Sequence, residues 1–259
     1  MLIVLLLSAI QGISEFLPIS SSAHLLITTW ALNVSDLGLS FDAAIHIGTS
    51  LALLIFFYKD FWRLWKERSP LLYYIALATI PAALIGFVGD KWIESTLHRS
   101  SVAPLIVGIG MILFSFLLLY VDNIAKLNRD SKDIGLKDTL IVGFAQALAL
   151  IPGTSRSGIT MTAGLWRGLK REDAARFSFL LAAPISLGAG LYKAFGLISN
   201  PEPTVSMLQV GVGIVASGLV GLAVIKWLLR YLGSHNLRLF VVYRIAFGVL
   251  VIALWVWRQ

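Results

Sequence analysis

Two short stretches of the chain gather most of the side chains able to do chemistry. The first contains Gln11, Glu15, Ser20, Ser21, Ser22 and His24; the second reads Gly153-Thr154-Ser155-Arg156-Ser157-Gly158 and is followed by Thr160. Gln11 and Glu15 are four residues apart and share one face of a helix. A carboxylate beside an amide oxygen suits a hard divalent cation, Mg2+ or Ca2+, and Mg2+ is commonly held by one or two carboxylates together with substrate phosphates. Ser21 and His24 are three apart, which pairs a candidate nucleophile with a candidate proton carrier. In the second stretch, amides at the start of a helix attract anions. Arg156 can grip a phosphate through two parallel hydrogen bonds, and the glycines let backbone approach a ligand. This is a phosphate cradle of a different kind from a Walker A loop, since no Gly-Lys-Ser/Thr stands at the required spacing, and it is not a G-x-S-x-G elbow. Blander readings stand beside these: a structural Glu15–Arg156 ion pair, and serines that cap helices.

The elements that position these residues lie in a bilayer. Hydrophobic residues make up 58% of the 259 and charged residues 14%, with a mean hydropathy of +0.83, against about 45–50% and about 25% in soluble domains. That excludes a soluble globular enzyme and a disordered tail protein. With no cysteine there is no disulfide framework, thiolate metal site or cysteine nucleophile. A spanning helix needs about 20 mostly apolar residues. Six stretches qualify: 41–58, 71–89, 102–121, 177–197, 203–225 and 239–257. Asp42 and His46, near the start of the first, read as an interface pair rather than ligands. Arg244, in the last, reads as a snorkelling side chain. Trp62, Trp65, Trp92, Trp255 and Trp257 read as interfacial anchors, and the glycines of 211–221 as close-packing positions.

Two further apolar stretches are interrupted. Residues 1–17 end at Pro18 and three serines before resuming at 23–32; residues 139–151 end at Pro152-Gly153 before resuming at 159–166. Proline removes a backbone donor and opens the helix. A cleavable signal peptide is the alternative for the N-terminus, but no basic segment precedes the apolar run and Glu15 interrupts it. Both stretches read as re-entrant helix–loop–helix hairpins, tolerable only where protein or a wet cavity surrounds the open backbone. The run from Gln11 to Ser22 parallels the run from Gln146 to Ser157, and each broken segment precedes three spans. Three is odd, so the second half is inverted relative to the first. Paired broken segments in inverted halves point to a binding site near the midplane. The predicted fold is an all-α polytopic membrane protein with six transmembrane helices plus two re-entrant hairpins in an interdigitated inverted-topology repeat. It forms a single membrane domain over 1–259, with repeat 1 at 1–121 and repeat 2 at 139–257.

The positive-inside rule gives an orientation. Loops 59–69, 122–138, 166–176 and 226–238 carry fifteen Lys and Arg on one face; Lys91, Arg99, Lys193 and Arg258 fall on the other, with Arg156 and Arg244 inside. The basic face is cytoplasmic and both termini lie outside, so the hairpins enter from opposite sides and meet at their tips. The formal charge of +7 is explained by topology, and no nucleic acid is implied.

The run Gln11-Gly-Ile-Ser-Glu15-Phe-Leu-Pro-Ile-Ser-Ser-Ser-Ala-His24 and the run Pro152-Gly-Thr-Ser-Arg156-Ser-Gly resemble the two signatures of the bacterial undecaprenyl pyrophosphate phosphatase family (UppP, or BacA). The resemblance covers nearly the whole chain. It implies an inner-membrane enzyme that removes the terminal phosphate of undecaprenyl pyrophosphate, regenerating the carrier lipid for peptidoglycan, with a link to bacitracin resistance. It implies Glu15 and Gln11 as metal-binding positions, Ser21 as nucleophile, His24 as essential histidine and Arg156 as the phosphate-gripping arginine, with Ser155 and Thr160 as polar positions nearby. Gln11 leaves one carboxylate fewer than in Glu-bearing members, Ala23 stands where some have Gly, and His46 where Gln is common. The expected substrate-binding set is Gly153, Thr154, Ser155, Arg156, Ser157, Thr160, Ser20 and Ser22, around a polyprenyl pyrophosphate whose reaction opens to the outer face. Attack by Ser21 and attack by water both fit, and the sequence is compatible with a homodimer. The competing class is a polyprenyl-phosphate flippase built on the same inverted repeat; an intramembrane serine protease also needs a buried Ser and His, but Arg156 favours an anionic substrate.

Overall fold

Proline and glycine divide the chain into helices where the sequence predicts. The computed structural model describes residues 1–32, 37–93, 101–199 and 206–258. The first broken segment is α1 (Leu2–Ser14) and α2 (Ser21–Leu32); the second is α6 (Leu136–Ala147) and α7 (Arg156–Trp166), joined through a 3-10 turn at Leu148–Leu150. Between and after them run α3 (Gly38–Lys66), α4 (Pro70–Ile93), α5 (Ala103–Ile124), α8 (Arg171–Ser199), α9 (Met207–Leu232) and α10 (Arg238–Trp257). These six are long and apolar enough to cross a membrane, and no strand occurs among the described residues. The fold class is therefore the all-α, six-span class expected.

Several helices outrun their predicted spans. α3 continues to Lys66 rather than ending near Tyr58, and α8 starts at Arg171 rather than Phe177. Glu172 and Asp173 in the first turn of α8 match the positive end of the helix dipole and extend the helix into the basic loop. Ser206 caps α9 by accepting from the Gln209 amide, whereas the predicted start at Pro203, the side chains of Lys91, Trp92 and Lys193, and Arg99 lie outside the described residues.

The two halves exchange partners. α1 packs along α9 and α6 along α4, while α3 pairs with α8 and α5 with α10. Each broken segment thus docks on a helix of the half to which it does not belong. Phe16, in the first turn, meets Phe179 of α8 edge-on at 5.7 Å between centroids. Lipid tails are as apolar as these side chains, so close packing rather than hydrophobicity must hold the helices together. The α9 glycines serve that packing: a Cβ on Gly218 would lie 3.1 Å from the Gly48 carbonyl oxygen, although Gly211 faces open space.

On the basic face, the ends of the helices are tied by ion pairs. Arg171 Nε donates to Asp122 Oδ1 at 2.6 Å and the Leu237 amide to Asp122 Oδ2 at 3.2 Å, joining α5, α8 and α10. Asp138, at the start of α6, accepts from both Arg129 Nη atoms at 2.9 and 2.8 Å, from Arg167 Nε at 2.6 Å and from the Gly135 amide at 3.0 Å. Burial alone would raise its affinity for a proton, but the Arg129 pairing, the Gly135 amide and Arg167 outweigh that and hold the carboxyl well below the usual range. A carboxyl lowered in the folded state stabilises the fold above its unfolded pKa of about 4, and that contribution is lost as pH falls below it. Asp138→Asn is therefore expected to be less stable than the parent by about 2 kcal/mol at pH 7, under the roughly 3–5 of a fully buried pair because solvent reaches both arginines. The gap should close as denaturation is repeated below about pH 4.

Candidate active site

The two turns are built alike. Ser20 and Ser155 each stand immediately before the second half-helix, 135 positions apart, and each takes a positive φ, 75° and 69°. Such φ values are costly for a residue other than glycine and are retained where surrounding contacts fix them. The sequence parallel between Gln11–Ser22 and Gln146–Ser157 is thus matched in the backbone at this offset. In the first turn Pro18 supplies no amide donor; in the second, Gly153 takes φ +86° and a Cβ there would lie 2.4 Å from the Val107 carbonyl oxygen of α5. Gly153 is glycine because α5 passes behind it, a requirement separate from the ligand approach expected of it.

The turns meet. The Arg156 guanidinium forms an ion pair with Glu15 Oε1 and also donates to the Ser186 hydroxyl of α8. The second oxygen of Glu15 accepts from Ser21 Oγ at 2.6 Å and from Gln11 Nε2 at 3.0 Å. Ser157 Oγ donates to the Leu17 carbonyl at 2.9 Å, closing one turn on the other. At the head of α7, Ser155 Oγ caps the helix by accepting from the Gly158 amide at 3.1 Å, while the amides of Arg156 and Ser157 have no acceptor within the helix. The Glu15 and Arg156 side chains keep 8% and 21% of their surface exposed, so the pair is reachable from outside the fold.

Not every expected residue joins this cluster. The His24 ring makes its hydrogen bonds away from Ser21. Its Nδ1 lies 2.7 Å from the Ser20 carbonyl and its Nε2 2.6 Å from the Tyr243 hydroxyl, because α2 turns that face toward α10. Thr160 is buried and engages the Arg156 carbonyl at 2.8 Å and Ser178 at 2.6 Å, bracing α7. The Thr154 hydroxyl is buried with no hydrogen-bond partner, Ser20 is buried, and Ser22 is exposed. His46 bonds the Asp42 carbonyl through Nδ1 at 2.8 Å and stands within electrostatic reach of Glu15.

Arg244 is the main correction. It does not snorkel: it is 1% exposed, and its guanidinium donates to the carbonyls of Pro18 at 3.0 Å, Gly153 at 2.9 Å and Thr154 at 3.0 Å. One side chain of α10 thereby holds both turns by their backbones. The signal lay in the charge count, which left only Arg156 and Arg244 inside the membrane. An ionisable group there is functional by default. Tyr243 and Ser186 carried no sequence signal.

The donor set also bears on a cation. Among the described residues no group of three His, Cys, Asp or Glu converges. Glu15 is the carboxylate at the site, and Gln11 Oε1 is a buried acceptor with no hydrogen-bond partner. A carboxylate with one unsatisfied amide oxygen fits a hard cation that completes its shell from phosphate and water.

These features define a polytopic membrane protein in which two broken segments meet at the Glu15–Arg156 ion pair. The chain belongs to the family described as bacitracin resistance protein BacA, whose model matches residues 4–250. It is similar to the undecaprenyl-diphosphatase of Thermodesulfovibrio yellowstonii, 40% identical over 98% of this chain and 97% of that one. It is similar also to the proteins of the same description from Moorella thermoacetica, 41% identical over 98% of each chain, and Magnetococcus marinus, 42% identical over 96% of each.

Proposed function

We propose that this chain hydrolyses undecaprenyl diphosphate to undecaprenyl phosphate and inorganic phosphate in the bacterial cytoplasmic membrane, with the Glu15–Arg156 site open to the outer face. The observation that carries the reading is the direct contact of Arg156 with Glu15 across the two turns, with Ser21 on the other carboxylate oxygen. The relatives are named for this hydrolysis, and none of those names favours the flippase reading. Outward opening is supported by the fifteen Lys and Arg of the opposite face. Entry and exit of each broken segment on one side is supported by length: 13 residues of α1 reach about 20 Å, short of a core of about 30 Å.

The chemistry follows from positions. Arg156 and the first amides of α7 take the oxygens of the terminal phosphate and stabilise the charge that spreads over them. Ser21 Oγ already donates its proton toward Glu15 Oε2. Attack by this oxygen on the terminal phosphorus forms the Oγ–P bond, moves the Ser21 proton to Glu15 and breaks the anhydride bond, releasing undecaprenyl phosphate. Water then attacks the phosphoserine: the Oγ–P bond breaks, Ser21 Oγ takes back its proton from Glu15, inorganic phosphate leaves, and the proton of the water passes to His24. A divalent cation held by Glu15 and Gln11 Oε1 would neutralise phosphate charge as a Lewis acid.

Purified protein is expected to release phosphate from undecaprenyl diphosphate, to lose that activity with a chelator and regain it with Mg2+ or Ca2+. Rapid quenching should trap a phosphoserine at Ser21. A protein that releases no phosphate at any concentration of either cation is not a phosphatase.

A further inference from the structure

The imidazole of His24 is held on every side. Nδ1 lies 2.7 Å from the Ser20 carbonyl, and a carbonyl only accepts, so Nδ1 carries a proton. In the neutral ring Nε2 is then the lone-pair nitrogen, and the Tyr243 hydroxyl, 2.6 Å away, donates to it. The ring is stacked on Phe247 at 4.5 Å and 11° and lies nearly parallel to Tyr243 at 5.6 Å and 7°. His24 is buried, whereas Tyr243 is 41% exposed. Nε2 is thus the one ring atom able to accept a proton, and the phenol stands in front of it.

We infer that Tyr243 is a positioning residue for the second half of the reaction proposed above: it fixes His24 with Nε2 as acceptor and carries to it the proton of the water that cleaves the phosphoserine. As water attacks phosphorus, its proton passes to the tyrosine oxygen while the phenol proton passes to Nε2. One water O–H bond breaks and one N–H bond forms, the phenol ends as it began, and the imidazole holds the charge until the proton returns to solvent. The inference rests on the phosphatase reading, but the hydrogen bond behind it can be tested alone.

Tyr243→Phe keeps the ring stack and removes only the hydroxyl. Slowing the second step of a two-step reaction lowers kcat and KM together and leaves kcat/KM unchanged. The variant is expected to lose about 100-fold in kcat and a similar factor in KM, the lower end of the roughly 10²–10⁴ of a positioned proton carrier. It should also show a burst of undecaprenyl phosphate equal to the enzyme present. In a His24→Ala background the same substitution should change kcat less than about twofold, because a residue acting through His24 adds nothing once His24 is gone. A parallel fall in kcat/KM, or independent effects of the two substitutions, overturns the inference. Protein labelled with 15N-histidine separates this from failure of the phosphatase reading. The Nε2 resonance of His24 should move on Tyr243→Phe whether or not wild type turns over, and an unmoved resonance overturns the inference even in an active enzyme.

Discussion

Arg156→Ala is expected to lower hydrolysis of undecaprenyl diphosphate about ten-thousandfold, within the roughly 10³–10⁵ that an arginine stabilising a phosphoryl transition state contributes. Arg156 is the cation in direct contact with Glu15, and Ser186 braces its guanidinium from α8. Phosphoryl transfer asks little covalent chemistry of a protein and much charge stabilisation, so the loss should fall on kcat more than on KM. The substitution also strands the Glu15 carboxylate, 8% exposed, without its partner, and some loss of stability accompanies it. Phosphate release at saturating substrate, with a thermal melt in the same detergent, separates the two effects. A folded variant within tenfold of wild type would show that Arg156 is structural.

Arg244→Lys should lower kcat about a hundredfold and destabilise the protein by about 3 kcal/mol, although charge is conserved. The guanidinium reaches three carbonyls in two separate turns, and an ammonium on a flexible stem cannot reproduce that fork. Each buried carbonyl left unpaired costs about 1–3 kcal/mol. The catalytic loss follows from position: releasing the Pro18 and Gly153 carbonyls frees the turns that carry Glu15 and Arg156, and a shift of about 1 Å at reacting groups is worth about 10²-fold. A melt and a phosphate-release assay on this variant check both parts; a near-wild-type result would mean that the turns hold their positions without the clamp.

The broad architecture was legible because its signals are local. A charge-free run of about 20 residues reads as a span, and Pro18, Pro152 and Gly153 broke helices where the chain turns. The Gln11–Ser22 and Gln146–Ser157 parallel was legible too, and reappears as the matched φ of Ser20 and Ser155. The Glu15–Arg156 ion pair was legible only as the blander alternative to a shared phosphate site, although a carboxylate and a guanidinium brought together in an apolar setting have few alternatives to each other.

What stayed hidden depends on how helices rotate against one another. Spacing put His24 on the face of Ser21, yet its Nε2 partner is Tyr243, 219 residues away. The apolar periodicity of α2 is too weak to show which face turns inward, since Ser21, Ser22, His24, Thr28 and Thr29 share their side of the helix with Leu25 and Leu32. Arg244 was misread for a related reason. Distance from the end of a span suggests snorkelling, but the direction of a side chain is set by what lies beside it, here three carbonyls freed by the turns.

Whether the two turns make one site is measured most directly by a double-substitution cycle on undecaprenyl diphosphate hydrolysis. Glu15→Gln and Arg156→Lys are each expected to lower kcat/KM about 50-fold, and the combination about 100-fold, because groups that act as a unit are lost only once. Independent losses, multiplying to about 2,500-fold, would contradict a shared site.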